Sequence, residues 1–344
     1  MRSYINVNLN RIKTNIKEIR KRNNKQIIAV IKSNAYGLGL IEIAQFLEKE
    51  NISFFVVSTL LEAITLRKNN IRSSILVLEK SDNYQTYLRY NLIYSLYDLT
   101  SLKEIIIKKI PIRMHIKFNT GLNRLGIEEN ELDELINLIK NNKVNIEGIF
   151  THIADENTYN KQLEKFEFFA KNLYFVNKLL IHIDSSRFID KNNFSNSIRI
   201  GLSLFIGKEN ALSLHSPIIK IKEVNKDELI GYHEQEKTPS KGYILTIPLG
   251  YADGWNYQRR TIGYIDNHKV QQIGETCMDH MMFFSKDKIK SPTIELIGDN
   301  ITIDYLSTIY EESKYNILST LSSRLDRFYF KWLFNFFALF FSIK

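Results

Sequence analysis

Short apolar runs alternate with longer mixed stretches through the first two thirds of the chain. The run IIAVI at 27–31 is too short for a helix and rich in β-branched side chains, which marks a buried parallel strand. Similar runs follow at FFVVS (54–58), ILVL (75–78), LIYS (92–95), IRMHIKF (112–118), IEGIF (146–150), LLIHI (179–183) and SIRI (197–200), making eight. Between them, apolar side chains recur at helical spacing over 41–48, 60–67, 132–139 and 159–176, and an earlier amphipathic helix over 11–22 lines up Ile12, Ile16 and Ile19. Strands alternating with helices pair in parallel, and eight repeats predict an α/β fold closed as a TIM-type (β/α)8 barrel.

From about Ser216 the alternation stops. SPIIKIKEV, GYILTIPL, TIGYID, KVQQIGE and CMDHMMFF read as strands without intervening helices, and a helical segment follows over 303–312. A boundary within 212–226 therefore separates the barrel from a C-terminal, mostly β domain. The expected division is a barrel over 1–220, of which the first ten or so residues are open to joining the second domain, a β-rich domain over 221–330, and an apolar tail over 331–344.

Composition narrows the function class. A chain of 344 residues with 44% hydrophobic content has room for a large core, and its net charge of +9 suits an enzyme handling carboxylates and phosphates. The basic residues are spread along the chain without a basic helix or interleaved aromatic patch, so nucleic-acid binding is not expected. Cys277 is the only cysteine, and the opening residues MRSYINVNLN lack the apolar core of a secretory signal, which points to a reducing cytoplasm. No histidine or carboxylate cluster has metal-ligand spacing.

Barrels of this kind place chemistry at the carboxyl ends of their strands. Lys32 follows the first strand, Lys117 ends the fifth with Arg124 in its loop, His152 follows the sixth, Ser185 and Ser186 follow the seventh, and Arg199 and Gly201 mark the eighth. Each alone also reads as a surface cation, a satisfied buried histidine or a turn serine; their joint placement at one mouth is what suggests a site. Lys32 has the most telling surroundings, KSNAYGLG. Partial desolvation at a strand end would favour a nucleophilic amine, the glycines allow close ligand approach, and the Tyr36 hydroxyl is a donor for an anion.

The stretch IIAVIKSNAYGLGL resembles the pyridoxal phosphate motif of alanine racemases, A-V-x-K-A-N/D-A-Y-G-H-G, with Leu38 in place of the histidine. Further stretches resemble the same family in order. KFNTGLNRLG carries the paired cations Lys117 and Arg124, with Asn119 replacing an aspartate. FTHIADE supplies His152, and HIDSS places Ser186 on the phosphate-binding serine with Ser185 replacing an asparagine. SIRIGLSLFIG gives Arg199, Gly201 and Leu202 the positions nearest the cofactor ring nitrogen and phosphate. IPLGYADG and GETCMDHMM carry the second base, Tyr251, and the substrate contacts Met278 and Asp279. LSSRLDR has Ser323 where many members have a tyrosine.

This resemblance implies a pyridoxal 5'-phosphate enzyme that interconverts L- and D-alanine with two bases, Lys32 and Tyr251, supplying D-alanine for peptidoglycan. It also implies a head-to-tail homodimer with shared sites, and a Lys117 that is carbamylated in some members. The donor-only guanidinium of Arg199 would keep the ring nitrogen unprotonated, which argues against a decarboxylase of the same fold. Racemisation of another amino acid, weak activity, or a non-catalytic pyridoxal phosphate carrier are the alternatives. The run WLFNFFALFFSI at 332–343 is too short to span a bilayer; docking onto the dimer is expected over membrane contact or a poorly ordered end.

Overall fold

The computed structural model describes residues 2–153, 155–183, 188–189, 191, 194–234 and 236–331, with the Glu234 side chain left aside. The tail over 332–344, and with it the expected docking, lies outside the described residues, as do Ser185 and Ser186. The chain divides into two compact units. One comprises the described residues of 16–35 and 39–204; the other comprises the described residues of 1–15, 36–38 and 205–344. The division at 204/205 precedes the 212–226 window read from the sequence.

The strands, in chain order, begin with β1 (Tyr4–Asn8), β2 (Gln26–Val30), β3 (Phe54–Val57), β4 (Ser74–Val77), β5 (Ile93–Leu96), β6 (Arg113–Lys117), β7 (Asn145–Phe150), β8 (Leu180–His182) and β9 (Ser197–Ile200). Strands β2 to β9 pair in parallel and close into a barrel as β9 returns to β2, with Arg199 opposite Ile28. Helices Leu40–Lys49, Leu60–Lys68, Tyr84–Arg89, Leu99–Ile107, Leu132–Asn141 and Tyr159–Asn172 fall between them. Ile28, Phe54, Val56, Leu76, Ile93 and Phe150 pack together as buried core. Side chains fill such a barrel, so its chemistry is pushed to the rim. Helix starts are fixed locally: the Thr59 hydroxyl accepts from Glu62 N at 3.1 Å while Glu62 accepts from Thr59 N at 3.2 Å, a reciprocal cap.

The second unit holds the remaining strands: β10 (Leu212–Pro217), β11 (Lys220–Val224), β12 (Leu229–Ile230), β13 (Glu236–Lys237), β14 (Gly242–Ile247), β15 (Ile262–Ile265), β16 (His268–Gln272), β17 (Met281–Ser285), β18 (Thr293–Ile297) and β19 (Asp326–Phe330). Nine strands form one sheet in the order β11-β14-β17-β16-β15-β18-β10-β1-β19, while β12 and β13 pair by themselves. The first strand, β1, lies in this sheet, antiparallel to β10 and parallel to β19. Period-two alternation is visible in β10 and β17, where every second side chain is buried.

Candidate active site

Lys32 stands two residues beyond β2, half-buried, at the start of an unusual backbone. Ser33, Asn34, Ala35 and Tyr36 all adopt left-handed conformations with φ of 52° to 56°, before Gly37 at 79°. Four residues with side chains make this turn ahead of the glycine, each at a cost of roughly 1–2 kcal/mol. The offsetting bonds are specific. Ala35 N donates to Ile31 O at 2.9 Å, Gly39 N to Asn34 O at 3.0 Å, Leu40 N to Asn34 Oδ1 at 2.8 Å, and Asn34 N to Glu62 Oε1 at 3.2 Å. Glu62 thus caps a helix and grips the turn that carries Lys32, a role the sequence did not signal.

The other barrel residues gather at the same ends of their strands. Lys117 is the last residue of β6 and buried; His152 follows β7 by two residues; Arg199 lies on β9 and is buried; Gly201 and Leu202 follow it into a short helical turn. Arg124 is exposed on the loop after β6. That loop is folded back by Asn119, whose Oδ1 accepts from Gly121 N and Asn123 N and whose Nδ2 donates to Glu128 Oε1 at 2.5 Å. An aspartate lacks that donor, so Asn119 serves the loop here in a way its acidic counterpart would not.

Positive charge accumulates around these groups. Burial first, then Arg124, Arg199 and Lys32, push the Lys117 ammonium down to about 8. Surrounding protein, then Arg199, Arg124, Lys117 and Lys32, push His152 down to about 3, although its ring keeps an exposed surface. Among the described residues no carboxylate is among the charges acting on either group. Such a donor set, short of counter-charge, fits a phosphorylated, anionic cofactor and a substrate carboxylate.

Arg199 is fixed from behind. Its Nη1 donates to His182 Nδ1 at 2.8 Å and to His182 O at 2.5 Å, and its Nη2 to Ile183 O at 3.0 Å and to Thr151 O at 2.5 Å. Since a guanidinium only donates, His182 Nδ1 accepts, its Nε2–H donates to His115 Nδ1 at 2.8 Å, and both imidazoles are neutral. Burial, then nearby positive charge, pushes His115 down to about 3 and His182 well below its ordinary value. Both histidines were hidden in the sequence as members of apolar strand runs. Gly148 makes room for His115, since a Cβ there would meet its Cε1 at 2.6 Å.

The remaining expected site residues belong to the second unit. Tyr36 is buried against Phe205 and Tyr315, and burial raises its phenol, keeping it a donor. Arg327 Nε donates to Gly37 O at 2.8 Å and Tyr329 OH to Leu38 O at 2.7 Å, while Leu38 is fully buried. Tyr251 opens a 3-10 turn, Tyr251–Asp253, with close to half its surface exposed. Its N–H donates to Cys277 O at 3.1 Å and that of Ala252 to Met278 O at 3.0 Å, so the Tyr251 and Met278–Asp279 stretches are stitched together. Tyr251, Cys277 and Met278 line one cavity with Tyr232, His233 and Tyr257. The Asp279 carboxylate is held by Arg324 Nη2 at 2.6 Å. Among the described residues no group of histidines, cysteines and carboxylates is arranged to hold a metal, and no helix is long and apolar enough to cross a membrane.

Comparison with known proteins agrees with this geometry. Residues 7–209 match the family model for the alanine racemase N-terminal domain, and residues 211–329 that for its C-terminal domain. An alanine racemase of Fusobacterium nucleatum is 33% identical over 326 residues, covering 88% of this chain and 91% of that protein. The structure of an alanine racemase from Clostridium difficile superposes with a TM-score of 0.90 at 26% identity, covering 96% of each chain. A histidine racemase from Leuconostoc mesenteroides shares the fold, with a TM-score of 0.86 at 22% identity, covering 96% of this chain and 98% of that one. With both domain models matched in order across nearly its whole length, the chain belongs to the alanine racemase family.

Proposed function

We propose that this protein interconverts L- and D-alanine with pyridoxal 5'-phosphate and two bases. The observation that carries the reading is the convergence of Lys32, Lys117, His152 and Arg199 at the carboxyl ends of β2, β6, β7 and β9, close enough that the neighbouring cations lower the proton affinity of Lys117 and His152. Lys32 would hold the cofactor, with Tyr36, His152, Ser186, Gly201 and Leu202 about its ring and phosphate and Arg199 at its ring nitrogen. When bound, the cofactor supplies an electron sink for the charge left at Cα as the proton departs. Lys32 Nζ takes or returns the Cα proton on one face, and the Tyr251 phenol oxygen returns or takes it on the other. The permanent positive charge of Arg199 would disfavour a proton on the ring nitrogen, which keeps charge near Cα and favours reprotonation there.

Arg124 would meet the substrate carboxylate, with Lys117, carbamylated or not, orienting it. Asp279 is an anion committed to Arg324, so contacts to that carboxylate from this stretch come from Met278 and the backbone. Tyr251 of one copy would serve Lys32 of a second, making the active form a homodimer. Its D-alanine would feed peptidoglycan synthesis from the cytoplasm.

The deciding experiment follows L-alanine in D2O by proton NMR and chiral chromatography, with and without added cofactor, beside L-serine and L-histidine. Cα deuteration and D-alanine should appear together, fastest for alanine and dependent on the cofactor. Failure of the Cα proton to exchange in the loaded protein would sink the reading, and faster turnover of another amino acid would replace the substrate. For the dimer, inactive Lys32→Ala and Tyr251→Phe subunits, dissociated and reassociated together, should regain part of the activity; none regained would refute shared sites.

A further inference from the structure

Asp253 ends the turn that Tyr251 begins, and its side chain has no solvent exposure. Among the described residues no other aspartate or glutamate is buried. A buried carboxylate must be paired, and this one is paired from far along the chain. Arg2 Nη2 donates to Asp253 Oδ1 at 2.8 Å and Oδ2 at 3.0 Å. Gly250 N donates to Oδ2 at 3.0 Å, and Arg324 Nε lies 3.5 Å from Oδ1. The Asp253 carbonyl accepts from Ser322 N at 3.0 Å. Arg2 leaves its Nε buried with no hydrogen-bond partner, so the guanidinium is committed to this carboxylate at a cost elsewhere.

The turn around this knot is tightly packed against its neighbours. A Cβ at Gly250 would meet Met278 O at 2.2 Å, and one at Gly254, where φ is 85°, would meet Thr320 O at 1.8 Å. Tyr251 itself is close to half exposed, so its side chain takes its direction from the backbone beneath it. A shift of Asp253 therefore passes through a two-residue link to the tyrosine.

We propose that Arg2 and Asp253 are positioning residues for the Tyr251 phenol: the ion pair aims the second base without touching substrate. The inference rests on the proposed role of Tyr251. Without Arg2, the carboxylate keeps only Gly250 N and the longer Arg324 contact, and it moves toward Arg324, carrying the turn with it.

Rates alone do not test this, because the two enantiomers have equal free energies and kcat/KM must stay equal in both directions in any variant. Isotope effects do discriminate. In Arg2→Met, kcat should fall about tenfold with KM within about twofold, the deuterium effect with α-deuterated L-alanine should rise, and that with D-alanine should stay or fall, since Lys32 removes the latter's proton. Arg2→Lys should recover most of the rate. Hydrogen exchange of the 250–254 amides should quicken about tenfold in Arg2→Met and little in Arg2→Lys. Asp253→Asn should repeat the Arg2→Met pattern; if it fails to fold, the Arg2 pair decides. Isotope effects that rise equally in both directions, or amides that exchange unchanged, overturn the proposal. A wild type that racemises no amino acid overturns the proposed function instead, while the exchange rates still report whether Arg2 holds the turn.

Discussion

The two bases of the proposed reaction are held in opposite ways. Lys32 rides on a local device, a left-handed turn of four residues with side chains, near Lys117 and His152, whose proton affinity the surrounding cations lower. Tyr251 rides on a long-range device, a turn locked by a buried carboxylate that is paired with Arg2, 251 residues away. Strain and uncompensated charge hold the first group ready to bind an anionic ligand. Satisfied charge and tight backbone contacts hold the second group in one direction. A cofactor-anchoring base needs an unfilled electrostatic demand; a base that only exchanges protons needs aim.

The largest expected effect breaks the comparison at its first term. Lys32→Ala should lower racemisation by about three orders of magnitude or more and abolish the visible absorption of cofactor-loaded protein. Spectrophotometry beside an alanine assay checks both, and a surviving band would place the attachment elsewhere. Tyr251→Phe should cost about two to four orders of magnitude yet leave that absorption and the cofactor affinity intact. Loss of binding in this variant would mean that the two devices are not separable.

A smaller effect sharpens the electrostatic side. His115 and His182 are neutral and buried in the native barrel, with proton affinities pushed far below that of a free imidazole. Below pH ~6.5 the unfolded chain binds protons that the native state refuses, so stability falls as pH drops from about 6.5 toward 3, by up to about 1.4 kcal/mol per pH unit for each histidine. Thermal melts between pH 7.5 and 4.5 should show this slope, and His115→Phe should flatten it. Ion pairs such as Arg324–Asp279 in the other unit lower a carboxylate's pKa, so their contribution disappears only in more acidic solution, as pH falls through the carboxylate range.

The smallest effect concerns strain. Ser33 is exposed at a φ of 54°, so Ser33→Gly removes a left-handed penalty without opening a core cavity. It should stabilise the protein by about 1 kcal/mol, a rise of roughly 1–2 °C in Tm, with little change in kcat. A destabilised variant would show that the turn is not strained.

Much of the architecture was legible because burial has a period. All eight barrel strands fall within a residue or so of the apolar runs that announced them, and SIRI at 197–200 coincides with β9. The strand β1 and the helices Tyr84–Arg89 and Leu99–Ile107 were not read from the sequence. Residue types with their own chemistry were legible too: Lys32, Lys117, His152 and Arg199 stand at strand ends, where their order in the chain put them. What tertiary structure alone decided is which groups share a charge or a proton. The left-handed course of Ser33 to Tyr36 depends on Glu62, from a helix later in the chain. The tautomers of His182 and His115 follow from an arginine on another strand. The pairing of Arg2 with Asp253 joins positions no local pattern connects. Periodicity is a property of neighbours along the chain, so sequence records it; electrostatic partnership is a property of neighbours in space, and only the closed fold brings those together.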